Sequence, residues 1–466
     1  MQGGENVVSC IYNVACPGYG AYFYICMPVG PRLRGSVRRP GCRENGPGTE
    51  KSCEKERGTS MAKSGKNRML PAVIGCVAVQ LCVGILYVWS VFKQPAIALF
   101  GWDGGSVNLV ASYMLFCFCF GNLIGGIIQD RIGPKPVCIA GVCLFGGGIL
   151  ISSFLPASAP IILFYLAYCL VAGVGSGFAY GAVLSCIQKW FPHKRGFASG
   201  LGAGAFGLST VVFSPVIQKL LGAVGLSMTL RILAIIFLAV GILACLFISL
   251  PDAGYLAALG LPKAKAGGDD GSKTLSQAIR TLPFWLLFLG CFLFNGTWNM
   301  LTPLIKDLGV ERGLSDSAAF LCVSLTGLAN AAGRLIMASL SDKLGRIRTL
   351  YVLCAATIVC ALLLIAVPGG AYMAVVLLTA FAYGGPAAVN PATSTDFFGP
   401  RCSGTNYGVI MLALGLSSVV FNALSNALYA ATGAYTLTFI VGAVTAAVSI
   451  AVYYAISRLM AGPKAG

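Results

Sequence analysis

From Leu70 onward, long apolar runs alternate with short polar turns, and twelve runs are long enough to cross a bilayer as helices: 70–92, 107–128, 137–155, 160–187, 197–220, 228–250, 283–304, 318–340, 348–368, 372–395, 405–428 and 435–458. Charges inside these runs are rare, so the exceptions carry information. The eighth run and the turn after it read GLANAAGRLIMASLSDKLGR, Gly327 to Arg346, with Arg334 inside the run. An arginine at the centre of a membrane helix costs about 2.5–3.5 kcal/mol on insertion scales. Asp342 opens the following polar turn eight residues after Arg334, about 12 Å along a helix, against a half-core of about 15 Å. The guanidinium therefore sits near the midplane, where transporters hold their substrates.

The runs also repeat. GNLIGGIIQDRIG (Gly121 to Gly133) matches GRLIMASLSDKLG (Gly333 to Gly345), GLSTVVF (Gly207 to Phe213) matches GLSSVVF (Gly415 to Phe421), and Pro95 matches Pro303, at offsets of 212, 208 and 208. Three matches in one order imply a duplicated six-helix unit. The predicted fold is an all-α membrane protein with twelve transmembrane helices in two pseudo-symmetric six-helix bundles. Its parts are a basic, Cys-containing extension (1–66), an N-terminal bundle (67–250), a linker (251–280), a C-terminal bundle (281–460) and a short tail (461–466). Residues 1–60 read as disordered or as the product of an upstream start codon, since MAKSGKNRML from Met61 looks like a natural start.

Composition agrees with the pattern. The chain of 466 residues is 57% hydrophobic and 10% charged, where a soluble domain carries about 25% charged residues. The net charge of +17 reflects topology rather than nucleic-acid binding. Even-numbered loops hold Arg131, Lys135, Lys189, Arg195, Lys343 and Arg346, while the odd loops are poor in Lys and Arg, which predicts a multi-pass protein of the plasma (inner) membrane with both termini cytoplasmic. Most of the 19 cysteines lie in apolar runs, where Cys behaves as a small hydrophobe. The lone histidine, His193, and the lack of paired C-x-x-C motifs argue against a metal site. Gly173, Gly175 and Gly177 lie in an apolar run without a preceding strand, so they form no nucleotide loop, and no ATP coupling or other cofactor is expected.

After the second run the chain reads Gly126, Asp130, Arg131, Gly133, Lys135, and the repeat reads Asp342, Lys343, Gly345, Arg346, Arg348. The pattern G-x-x-x-D-R-x-G-x-K resembles the signature loop of the major facilitator superfamily, and the resemblance covers Leu70 to Met460. In that superfamily the loop latches the two halves in one conformation. The resemblance thus assigns Gly126, Asp130, Arg131, Gly133, Asp342, Lys343, Gly345 and Arg346 to gating, a stop signal for membrane insertion being the alternative.

YVWSVFKQP (Tyr87 to Pro95), RGFASGLGAGAFGLSTVVFSP (Arg195 to Pro215), Gly333-Arg334 and FFGPRCSGTNYG (Phe397 to Gly408) together resemble the oxalate/formate antiporter family, related to the monocarboxylate transporters. In those relatives the helix 8 arginine engages the substrate carboxylate, which implies that role for Arg334, a planar fork suited to a carboxylate. The alternatives are an arginine that snorkels or pairs with a helix carbonyl. Oxalate exchangers add a helix 11 lysine where this chain has Leu414, so one cation would face a dianion, and a monocarboxylate such as formate, lactate or pyruvate balances Arg334 better. Proton-coupled relatives carry an aspartate where this chain has Asn330, which cannot titrate. No carboxylate lies inside any of the twelve runs, which disfavours proton symport through a relay.

Around a central anion we expect Tyr87, Trp89, Asn122, Tyr180, Trp298, Asn299, Asn330 and Tyr383, although each aromatic is as readily a packing residue. GVGSG (Gly173 to Gly177) and GGP (Gly384 to Pro386) are expected as helix breakers. The sequence thus predicts a monomeric secondary transporter of a small organic carboxylate anion, an exchanger rather than an enzyme. A proton-linked or uniport monocarboxylate carrier is the near alternative, and a channel or receptor the distant one.

Overall fold

The computed structural model describes residues 68–259 and 271–460; the expectations for the N-terminal extension and the tail lie outside these residues. Helices account for the architecture, and no strand occurs among the described residues. Ten helices have the length and hydropathy to span a bilayer. One of them, Arg195–Phe247, turns at Gly225 with φ 73° and ψ 178°, a conformation open to glycine, and so supplies two spans. A further helix, Arg68–Val83, continues through a 3-10 turn, Gly84–Val88, into Trp89–Phe100. Counted this way the described residues hold α1 (68–100), α2 (Gly104–Ile132), α3 (Pro134–Ser152), α4 (Ile161–Trp190), α5 (195–224) and α6 (226–247). The second set is α7 (Leu282–Glu311), α8 (Asp316–Leu344), α9 (Arg346–Leu363), α10 (Gly369–Phe398), α11 (Ser403–Thr432) and α12 (Thr436–Met460).

Packing follows the duplication. Within the first six helices α2 lies against α4, α3 against α6, and α1 against α5, and the images of these pairs, α8 with α10, α9 with α12 and α7 with α11, recur in the second six. The two halves meet through α2 with α11 and α8 with α5. Hydrogen bonds across the halves obey the same relation: Tyr180 on α4 donates to the Ala387 carbonyl on α10 at 3.4 Å, and Thr395 on α10 donates to Gln188 on α4 at 2.7 Å. Both pairs join positions separated by 207, the spacing expected where α4 and α10 cross a two-fold axis.

The distribution of polarity is that of a protein dissolved in lipid. Ile235, Leu243, Leu246, Val352 and Leu378 are exposed, whereas Asn122, Gln129, Asn330 and Arg334 are buried. In hydrocarbon only internal partners satisfy polar groups, so they gather inside. The GVGSG run does not break α4, contrary to expectation. The helix passes through it regularly, and the irregularity is a π-helical stretch, Tyr165–Ala172, immediately before it. The glycines instead allow close approach: a Cβ on Gly175 would meet the Phe145 backbone nitrogen and lie 2.7 Å from the Gly141 carbonyl oxygen. Likewise α10 remains one helix through GGP, with Pro386 and Pro391 inside it. Replacing Gly175 by Val is expected to lower stability in detergent by about 1–3 kcal/mol through overpacking of α3 on α4. Gly147→Val, where nothing lies within 4 Å, is expected to leave the melting temperature unchanged, and equal melting of the two variants would refute this account of the glycine run.

Candidate functional site

Arg334 lies midway along α8 and is 2% exposed. Its Nε donates to Asn330 Oδ1 at 2.7 Å, one helical turn earlier, and its Nη1 donates to the Ala203 carbonyl on α5 at 3.0 Å. The guanidinium carbon stands 5.8 Å from the centroid of the Phe206 ring, within cation–π range. Asn330 thus takes the orienting place that a carboxylate would fill, without adding a charge. The arginine neither snorkels out nor stands isolated: it reaches across the boundary between the halves. The helix-carbonyl alternative describes its Ala203 contact.

Below the guanidinium, Phe206 belongs to an aromatic trio with Tyr180 at 5.0 Å and Phe118 at 5.4 Å, the last pair closed by Phe118–Tyr180 at 5.1 Å. On the other side α10 runs tightly along α8, a Cβ on Gly384 lying 3.1 Å from the Arg334 backbone nitrogen. Its neighbour Tyr383 stacks on Trp298 with centroids 5.1 Å apart. The structure therefore brings Asn330 and Tyr180 to Arg334 directly or through Phe206, and sets the Tyr383–Trp298 stack beside the same stretch of α8.

Other expected members lie elsewhere. Trp89 packs with Phe92, Phe164 and Tyr168 and spends its Nε1–H on the Val107 carbonyl at 3.0 Å, which makes it a joint between α1, α2 and α4. Asn299 donates to Ser417 Oγ at 3.1 Å and ties α7 to α11. Tyr87 lies in the 3-10 turn of α1, and its side chain is outside the described residues. Asn122, the repeat-mate of Arg334, is 1% exposed with both amide atoms lacking a hydrogen-bond partner.

The signature loops form a second centre, at the face where the even-numbered loops gather. Asp342 accepts the backbone N–H groups of Gly196 and Phe197, both at 2.8 Å, at the start of α5. Asp130 accepts those of Gly404 at 3.3 Å and Thr405 at 2.7 Å, and the Thr405 hydroxyl at 2.7 Å, at the start of α11. Gly404 and Thr405 follow Gly196 and Phe197 by 208 positions, so the two caps are images of one another. Each carboxylate supplies acceptors to N–H groups that a helix leaves unpaired and meets the positive end of its dipole. Gly133 and Gly345 then turn the chain with φ 89° and 92°.

Asp396 completes this centre and escaped the sequence reading. It bonds Arg195 at 2.9 Å and Arg346 at 2.8 Å, while Arg346 also bonds Asp342 at 2.7 Å. The tenth apolar run ends at residue 395, one position too early, and α10 continues to Phe398. The signal was the Asp396 carboxylate on a face otherwise crowded with Arg195, Arg346 and Arg401. Arg131 and Lys343 are exposed and form no ion pair among the described residues.

Comparison with known proteins places this geometry in context. Residues 74–422 match the model of the Major Facilitator Superfamily. The chain is 27% identical over 368 residues to the oxalate:formate antiporter of Oxalobacter formigenes, covering 78% of this chain and 85% of that protein. It is 27% identical over 373 residues to monocarboxylate transporter 13 of Rattus norvegicus, covering 78% and 82% respectively. The fold resembles the crystal structure of the transporter FucP in the outward conformation, with a TM-score of 0.65 and 14% identity over 83% of this chain and 98% of that one.

Asp396 faces two guanidinium groups with its side chain one-third exposed, so Asp396→Asn is expected to weaken the closure by roughly 1 kcal/mol. An impermeant maleimide should then label Ser185→Cys, behind the latch, about fivefold faster than in the parent carrying Asp396. Unchanged labelling would show that Asp396 does not hold this face shut.

Proposed function

Because the chain belongs to the Major Facilitator Superfamily, a family of multi-pass membrane transporters rather than enzymes, we propose that it exchanges a small carboxylate anion across the membrane by alternating access. The observation that carries this reading is Arg334: a guanidinium near the middle of its helix, 2% exposed, held between the two halves by one neutral amide and one carbonyl. Both of these contacts bring a dipole to the guanidinium, and the Ala203 carbonyl comes from the opposite half. A charge retained at that cost in hydrocarbon is a functional site by default. The Ala203 contact is the kind of bond a carboxylate can replace with a stronger, charge-assisted one.

In this reading the bundles at 67–250 and 281–460 rock about α2–α11 and α5–α8. The caps on α5 and α11, with Asp396, close the cytoplasmic face, and the linker joins the halves on that side. The similarity to the oxalate:formate antiporter and monocarboxylate transporter 13 supports a carboxylate as substrate. Leu414 is buried at 5% exposed and brings no second cation, which favours a monocarboxylate. Asn330 bonded to Arg334 leaves no proton acceptor at that position, which favours exchange over proton coupling.

Proteoliposomes loaded with formate, lactate, pyruvate or oxalate should take up an external labelled monocarboxylate only when the lumen holds a carried anion; uptake indifferent to the internal anion would remove exchange in favour of a uniport or proton-linked carrier. Arg334→Gln is expected to insert and melt like the parent but to lose about two orders of magnitude in exchange, the loss expected for a charge-assisted pair. Undiminished exchange would end the assignment. Leu414→Lys should raise oxalate exchange relative to formate, and a parent chain that already prefers oxalate would contradict the one-cation argument.

A further inference from the structure

A small cavity of about 10 Å³ lies on the closed side of the site, lined by α4, α10 and α11 through Gly181, Ser185, Gln188, Thr395, Ser403 and Tyr407, among others. That volume is the size of one water. Its lining carries no charge and mixes the apolar Leu184 and Pro391 with the polar Ser185, Gln188, Thr395, Ser403 and Tyr407. At one end Gly181 abuts the Asn122 side chain, a Cβ there meeting Asn122 Oδ1. At the other, Gly404 abuts Gln129, whose Nε2 would meet a Cβ placed on Gly404. Asn122 and Gln129 thus stand behind two glycines of the cavity wall, and Gly404 also belongs to the cap that Asp130 forms.

Gln129 is 4% exposed, and neither its Oε1 nor its Nε2 has a hydrogen-bond partner. Asn122, at 1% exposed, is in the same condition. Buried amides left unpaired oppose folding, and these two both lie behind glycines of the same cavity wall. Tyr407 is similarly under-used, its hydroxyl reaching only the sulfur of Met411 at 3.1 Å, a weak acceptor. The seal over the cavity consists of neutral contacts between the halves, Ser185 with Ser403 at 3.2 Å and Thr395 to Gln188 at 2.7 Å.

We propose that Gln129, Asn122 and Tyr407 form a second, uncharged carboxylate station between Arg334 and the even-loop face, occupied only when that face is open. It rests on the transport reading above and deepens it. A station of neutral donors binds an anion more weakly than Arg334 does, so it hands the substrate on instead of holding it. Gln129 is the member that tests the idea, because it abuts Gly404 in the cavity wall while its side chain makes no hydrogen bond in the caps.

Exchange of radiolabelled formate, lactate and pyruvate is measured in membrane vesicles of both orientations for the unaltered chain and for Gln129→Leu and Gln129→Asn. Gln129→Leu is expected to raise the KM at the even-loop face about tenfold, the loss of one hydrogen bond to a charged group. The KM at the opposite face should stay unchanged, and Gln129→Asn, which keeps the amide, should recover part of the loss. The melting temperature of Gln129→Leu should equal or exceed that of the parent, because the leucine leaves no unpaired amide. A lowered melting temperature with equal loss at both faces, or no change at either, overturns the station while leaving the Arg334 reading in place. Absence of exchange by the unaltered chain removes both.

Discussion

Two carboxylates seated on two helix starts hold this molecule in the state described. α5 and α11 begin at the boundary between the halves, where their first N–H groups lack partners of their own, and Asp342 and Asp130 reach across from α8 and α2 to accept them. In lipid-facing protein an unpaired N–H is costly, so each aspartate stabilises both a helix terminus and the contact between bundles. Only one of the two caps is ion-paired. Arg346 pairs with Asp342, whereas Asp130 is met by backbone and a threonine hydroxyl, so one side of the closure is ionic and its image is mostly dipolar.

Arg334 is stabilised by the same economy of dipoles in a drier place. Its charge meets an amide oxygen, a carbonyl and a ring face. An aspartate at residue 330 would add a negative charge beside the guanidinium, while asparagine orients the fork without adding one. The Phe118–Tyr180–Phe206 cluster keeps the surroundings low in dielectric, which strengthens every electrostatic contact the guanidinium makes.

The sequence exposed the scaffold of this arrangement better than its azimuths. Apolar runs located the twelve helices because hydrocarbon imposes their length, and repeat offsets of 212 and 208 anticipated which groups would be images, as the two caps are. Arg334 lies midway along α8 as its distance from Asp342 implied, whereas Trp89 and Asn299 turn into α1–α2–α4 and α7–α11 joints, since one sequence carries depth but not the face a neighbouring helix will cover. The end of α10 was missed by three residues because Asp396 reads as a loop charge until Arg195 and Arg346 are seen around it.

The bond from Arg334 to Ala203 links these levels, because it joins α8 to α5, the same pair of helices that Asp342 caps one and a half to two turns nearer the even-loop face. Under the transport reading, a carboxylate that takes the guanidinium displaces a neutral acceptor belonging to the opposite half. The energy gained at the anion is then set against a lost contact across the very interface that must part. An empty site retains the contact and, with it, one reason for the halves to stay together; a filled site does not. Under the exchange reading, that difference between loaded and unloaded states requires no titrating group, only an arginine bonded across the boundary.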